Sequence, residues 1–156
     1  MPLEFRLARP SDYDQLEQLT IDSFEPITWL KRADQHFGPL NGHDWRNRWQ
    51  LRFRKAFDTQ QVLVGEDQGE IVAFASGTVD PDTLLGFIDL LGVDTRHQGK
   101  GYGRAMLRGM LQFMKSQGAV HCSLECLTDN DKGNSLYRAE GFEEVARSIR
   151  WFIKIP

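Results

Sequence analysis

Three kinds of pattern follow one another without a break in the middle of this chain, and together they leave few folds open. Residues 84–93 are almost uniformly apolar, residues 94–103 turn polar and glycine-rich, and helical periodicity then resumes with Met106, Leu107, Met110, Leu111 and Met114 on one face. Arg104, Arg108, Gln112 and Lys115 point elsewhere, so the expected unit is a buried strand, a loop and a helix packed by one side on a sheet. The loop Gln98-Gly99-Lys100-Gly101-Tyr102-Gly103 thus stands where the first N–H groups of a helix have no intrahelical acceptor. Glycines let such amides close on an anion unobstructed, and the helix dipole adds positive potential, so the loop reads as a cradle for a pyrophosphate. Arg96, Lys100 and Arg104 either add charge around that anion or are solvated surface residues.

The remainder reads as one mixed α/β domain over residues 1–156. Leu3, Phe5 and Leu7 alternate as in a first strand, not as in a secretory signal core, and the expected setting is cytoplasmic. Ser11 precedes a carboxylate at Asp14, a capping pattern that starts a helix over 12–23. A short helix is expected within 25–41, between Pro26 and Gly38-Pro39, and another over 44–57, where Trp45, Trp49, Phe53 and Phe57 form a core stripe. Residues 62–64 and 71–78 are β-branched runs joined by a glycine-containing turn, a hairpin pattern. After the central unit come a strand over 120–127, a short helix capped near Asn130 and ending at Gly141, and a closing strand over 145–155.

Composition excludes several roles. No apolar run is long enough to cross a bilayer, and a net charge of −3 argues against broad binding to nucleic acid. The cluster Arg46, Arg48, Arg52, Arg54 and Lys55 reads as a solvated helix face. Cys122 and Cys126 form neither staple nor zinc pattern and pack as small apolar residues, while His36, His43, His97 and His121 lack spacing for a metal or a nucleophile. No metal is expected.

Among phosphate-cradle motifs, a nucleotide P-loop needs four residues between its glycines and then Lys with Ser or Thr, and a dinucleotide fingerprint needs another glycine beyond Gly103. Neither is present. The loop instead resembles that of the GCN5-related N-acetyltransferase (GNAT) superfamily, whose pattern of Gln or Arg, two residues, Gly, one residue, Gly or Ala is filled by Gln98, Gly101 and Gly103. The resemblance extends to a second signature, an Asn before a short helix ending Leu-Tyr, three residues, Gly-Phe, met here by Asn130, Leu136-Tyr137 and Gly141-Phe142. It implies an α/β (α+β) fold with a mixed, mostly antiparallel sheet, splayed between its fourth and fifth strands and covered by helices on both faces.

That resemblance also implies an acetyl-CoA-dependent N-acetyltransferase, with acetyl-CoA as cosubstrate. The thioester is expected beside Leu91 and Val93, with the Leu91 N–H polarising the acetyl carbonyl. Gln98, Gly99, Lys100, Gly101, Tyr102, Gly103 and Arg104 are expected to hold the diphosphate, Asn130 to hold the pantetheine or merely cap its helix, and Tyr137 to serve the leaving sulfur as acid or to pack. Direct transfer needs a neutral amine. Asp89, inside an apolar strand where desolvation favours the protonated form, and Glu125, on the facing strand, are the candidate bases or amine anchors, and a water relay is the alternative.

The family's acceptor wall corresponds here to residues 20–60, with Phe24, Trp29, Phe37, Trp45 and Trp49 beside Asp22, Glu25, Asp34 and Asp44. Acids and aromatic faces suit a small primary amine, although the same aromatics also suit a core. The expected acceptor is a small-molecule amine, with a protein lysine or amino terminus as the alternative. A homodimer fits either case. A different class, a non-catalytic acyl-CoA sensor, retains the loop but not turnover.

Overall fold

A computed structural model describes residues 2–156. A five-stranded sheet in the order β1-β2-β3-β4-β5 organises it. The strands are β1 (Glu4–Leu7), β2 (Gln61–Asp67), β3 (Glu70–Val79), β4 (Leu85–Val93) and β5 (His121–Leu124). The first four pair antiparallel, and β4 and β5 pair parallel. The helices are α1 (Tyr13–Phe24), α2 (Trp29–Phe37), α3 (Trp45–Thr59), α4 (Tyr102–Ser116) and α5 (Asp131–Ala139). The β2–β3 hairpin turns on Gln68 and Gly69, both with positive φ (51° and 80°), the backbone twist that a two-residue connection requires.

Two cores lie on opposite faces of the sheet, as strand alternation dictates. Val62, Val64, Phe74 and Leu90 point toward α1, α2 and α3, meeting Leu16, Leu19, Trp45, Trp49 and Phe53. Leu63, Ala73, Ala75 and Ile88 point the other way, toward Met106, Leu107, Met110 and Met114 of α4. Those four α4 side chains are essentially inaccessible, and full burial of each contributes roughly 1.5–3 kcal/mol. The aromatic stripe of α3 is core, as its spacing predicts, and Asp44 caps that helix by accepting from the Asn47 N–H at 2.9 Å.

Three local expectations are corrected. Ser11 does not cap α1. Asp12 instead accepts from the Arg9 N–H at 2.7 Å and pairs with Arg6 at 2.8 Å, tying β1 to the turn before the helix. The fifth strand ends at Leu124, so Glu125 and Cys126 lie just beyond it. The closing strand over 145–155 is absent: that segment pairs with no strand. A strand exists only where a ladder partner accepts its N–H groups, and apolar alternation alone does not supply one.

Candidate active site

The site begins where β4 and β5 part. Their register runs Leu85 with His121, Gly86 with Cys122, Phe87 with Ser123 and Ile88 with Leu124. Beyond Ile88, β4 continues to Val93 with no β5 residue opposite it. On its other edge β4 stays joined to β3, but the ladder slips there: Ser76 faces Leu90 and Gly77 faces Ile88, leaving Asp89 without an opposite residue. The bulge and the parting thus coincide, and the main chain from Asp89 to Val93 borders the opening. Leu91 lies opposite Ala75, and the Leu91 and Val93 side chains pack toward the α4 core.

At the end of β4 the chain makes a 3-10 turn (Thr95–His97) and enters the glycine loop. Gln98 reaches back, its amide donating to the Val93 carbonyl at 3.3 Å. Gly99 and Gly101 have φ of 80° and 86°, left-handed conformations that favour glycine, and a Cβ built on either meets nothing within 4 Å. Gly101 is the N-cap of α4 and offers no capping side chain. Among the described residues, no protein oxygen accepts from the N–H groups of Gly99, Lys100, Gly101, Tyr102, Gly103 or Arg104. Six adjacent amides without a protein acceptor thus stand at the positive end of a 15-residue helix, an arrangement suited to phosphate oxygens. The residues fit a diphosphate.

The loop's side chains divide. Tyr102 is buried and its hydroxyl donates to Asp67, which anchors the loop to β2. Arg96 turns away to Asp94 at 2.9 Å and Glu70 at 3.4 Å, so it is committed elsewhere. Arg104 pairs with Glu140 at 3.0 Å, and Arg108 shares that carboxylate. Lys100 is exposed and has no ionic partner among the described residues. Between the first turn of α4 and α5 lies a cleft of about 580 Å³, lined by Arg104, Asp131, Lys132, Ser135, Leu136 and Ala139. Sequence reading missed Lys132; its place, two residues after the cap of α5, was the available signal.

On the far side of the opening, Asn130 caps α5, its side-chain oxygen accepting from the Gly133 N–H at 3.2 Å. Tyr137, on the same helix, is largely enclosed against Phe142, with ring centroids 5.8 Å apart. Burial, and to a lesser degree the neighbouring Cys126, pushes its phenol up to about 12. Its hydroxyl has no hydrogen-bond partner among the described residues, so the proton is both retained and available.

The acids take other partners. Asp89 accepts from Arg52 and Gln60, one carboxylate oxygen to each at 2.9 Å. Asp89 is thus paired with a guanidinium, the structural alternative to a role as base or amine anchor. Glu125 is exposed and carries no salt bridge among the described residues. Asp34 pairs with Arg48 and accepts from the Trp45 N–H, Glu25 binds Lys31 and Arg46, Asp44 caps α3, and Asp22 holds Gln18. Trp49 stacks on Phe24 and donates its indole N–H to Thr28, so those rings are core, whereas Trp29 and Phe37 face Phe152 at the surface. Arg32 of α2 reaches Asp129 at 2.9 Å, bridging the helical layer to the loop after β5.

No group of three or more His, Cys, Asp or Glu among the described residues is placed to hold a metal, and no helix is long and apolar enough to cross a membrane. Residues 15–142 match the family described as Acetyltransferase (GNAT) family. The chain is 42% identical over 117 residues to the N-alpha-acetyltransferase RimI of Mycobacterium tuberculosis, covering 59% of this chain and 72% of that one. It is 33% identical over 100 residues to a mycothiol acetyltransferase of Beutenbergia cavernae, covering 62% of this chain but only 34% of that longer protein. In fold it resembles the PaiA N-acetyltransferase of Thermoplasma acidophilum, solved in complex with coenzyme A, with a TM-score of 0.67 at 16% identity, covering 92% of this chain and 91% of that one. With its sheet parted after Ile88 and a glycine cradle opening α4, this chain is a member of the GNAT family of acetyltransferases.

Proposed function

We propose that the chain moves an acetyl group from acetyl-CoA directly to a weakly basic primary amine, with the α-amine of a peptide as first choice. The cofactor side rests on the amides of Gly99 to Arg104, which have no protein acceptor among the described residues, and on the open space beside Gly99 and Gly101. In this reading Lys100, Arg104 and Lys132 add positive charge around the rest of the nucleotide. Leu91 offers its N–H to the acetyl oxygen, and Asn130 orients the pantetheine arm. Tyr137 hydrogen-bonds the departing sulfur. With its phenol pushed up to about 12, against about 8.5 for an ordinary thiol, it acts as a hydrogen-bond donor and does not surrender its proton outright.

What carries the acceptor assignment is the engagement of Asp89 by Arg52 and Gln60, which leaves no buried carboxylate free to strip a proton. A lysine, with a pKa of about 10.4, is only ~0.04% neutral at pH 7; an α-amine near 7.9 is ~10% neutral without help. A site lacking a strong base therefore favours the α-amine, with exposed Glu125 or water taking its proton. The likeness to RimI supports the same choice. The small-molecule reading keeps the support of the mycothiol acetyltransferase likeness, but the acids of residues 20–60 that suggested a cation site are engaged within the protein.

The test follows thiol release from acetyl-CoA with unblocked peptides, the same peptides blocked at the amino terminus but carrying lysine, and amino sugars. Mass spectrometry locates the added acetyl group. Acetylated α-amines, with kcat/KM rising to a plateau near pH 8, support the proposal. Transfer to lysine alone, or cofactor binding with no transfer to any amine, overturns it.

A further inference from the structure

Strand β4 changes phase at one residue. Ile88 packs into the core against α4, Leu90 into the core with α1 and α3, and Leu91 returns to the α4 side. Asp89 reaches Arg52 of α3 and Gln60 just beyond it, so Asp89 and Leu90 occupy the same face in succession, the mark of a β-bulge.

The extra residue also decides where main-chain groups point. Asp80, next to β3, donates to the Leu85 carbonyl, and Val120, next to β5, donates to that of Leu84. Leu85 and Phe87 therefore face β3, while Gly86 and Ile88 face β5. Unbroken alternation from Ile88 would turn the Leu90 N–H toward β5 and the Leu91 N–H toward β3. The far end of the strand shows the reverse. Asp94 donates to the Val72 carbonyl of β3 at 2.9 Å, which puts Gly92 toward β3 and Leu91 and Val93 toward the β5 side. There β5 has ended, with Ile88 and Leu124 its last pair, so these two N–H groups border the opening.

The side chain of the extra residue fixes it in place. Asp89 lies opposite no β3 residue, and its carboxylate accepts at 2.9 Å from Arg52 on one oxygen and from Gln60 on the other. Both donors are themselves braced. The Arg52 guanidinium lies 4.6 Å from the ring centroid of Trp49, a buried side chain whose indole N–H donates to Thr28. Gln60 ends α3 with its own N–H on the Ala56 carbonyl, and its Oε1 is buried without a partner among the described residues. A buried acceptor left unpaired opposes stability, so the amide is oriented by its hold on Asp89. A half-exposed ion pair such as that of Arg52 adds little stability either.

We infer that Arg52 and Gln60 are positioning residues for the transfer: they grip Asp89, keep the bulge in β4, and so keep the Leu91 N–H turned toward the acetyl oxygen. Neither touches a reacting atom. The inference rests on the reading of Leu91 as donor to that oxygen, and it makes Asp89 a strut in place of a base.

The experiment takes the full chain with acetyl-CoA labelled at the carbonyl carbon and no acceptor, and reads the thioester C=O stretch of the bound cofactor by infrared difference spectroscopy. Calorimetry with acetyl-CoA and steady-state rates with an unblocked peptide accompany it, and the spectrum decides even if that peptide is not acetylated. In the parent the stretch should lie below that of free acetyl-CoA. Arg52→Met and Gln60→Leu should each lose at least about half of that shift and ~10-fold in kcat, part of the ~10²–10³ that outright removal of such a donor costs, with acetyl-CoA affinity unchanged. Arg52→Lys returns a cation to Asp89 and should recover part of both losses. With Asp89→Asn already in place, Arg52→Met should have no further effect, because Arg52 acts through that carboxylate. A full shift in both variants overturns the inference and leaves the Leu91 reading standing. So does a fall in kcat with the shift intact, or an Arg52→Met loss that persists in the Asp89→Asn background. A parent without any shift removes the Leu91 reading and the inference with it. Should Arg52→Met fail to fold, Gln60→Leu decides by the same spectrum.

Discussion

Replacing Gly101 by aspartate puts a carboxylate where phosphate oxygens are proposed to approach, at a φ of 86° that a side chain adopts at a cost of roughly 1–2 kcal/mol. Because the built Cβ meets no atom within 4 Å, steric damage stays small and the loss is electrostatic. Calorimetry should show acetyl-CoA affinity reduced at least ~10-fold, or about 1.4 kcal/mol, with the melting temperature lowered by only a few degrees, about what the backbone strain accounts for. Tyr137→Phe removes only the hydroxyl. Turnover should fall ~10²-fold with cofactor affinity unchanged, and equal turnover would leave Tyr137 as packing. Asp12 is tested by pH. Its hydrogen bond to Arg6, and then that from the Arg9 N–H, hold its carboxyl below the ordinary range. Its contribution is therefore complete above the unfolded value of about 3.9 and is lost as pH falls through the lowered folded value. Asp12→Asn should cost about 2 kcal/mol at neutral pH and flatten stability over the acid limb, read by denaturant melts at successive pH values. Single residues were unevenly legible. The loop glycines announced themselves by spacing, but the Arg52–Asp89 pair spans 37 positions and leaves no local trace, so only the fold reveals that Asp89 has an ionic partner.

The elements follow from periodicity where burial enforces it. The one-sided apolar pattern of α4, the stripe of α3 and the β2–β3 hairpin all stand within a few residues of where sequence alone puts them, because each satisfies its own backbone bonds locally. Residues 145–155 have equally good alternation and form no strand, since a ladder needs a neighbour that the sequence does not specify. The parting of β4 from β5 is likewise a property of two elements and entered only through resemblance, whereas the register shows it directly. Gly77 tests the bulge beside it. A Cβ there would stand 2.1 Å from the Phe87 carbonyl oxygen and 2.7 Å from Met114, so backbone must move. Gly77→Ala should destabilise the fold by about 3 kcal/mol and lower kcat more than a surface variant of equal stability, because the displaced strand carries Leu91. Thermal melts and steady-state rates measure the two effects separately.

Across the whole molecule, helices on both faces bury the sheet, and its opening sits at the carboxyl end of β4, where a parallel neighbour stops short. That is where an α/β sheet leaves a crevice for a ligand, and α4 points its positive end into it. The α2 layer is tied to the loop after β5 by the Arg32–Asp129 pair. The central claim is that main-chain amides bind the cofactor's diphosphate, and backbone amide resonances followed during a titration with coenzyme A test it most directly. The predicted result is a saturable downfield shift of the Gly99, Lys100, Gly101, Tyr102, Gly103 and Arg104 N–H signals, shared by 3′,5′-ADP only weakly because it lacks the diphosphate. Saturable binding that leaves those six signals in place while others move would contradict it.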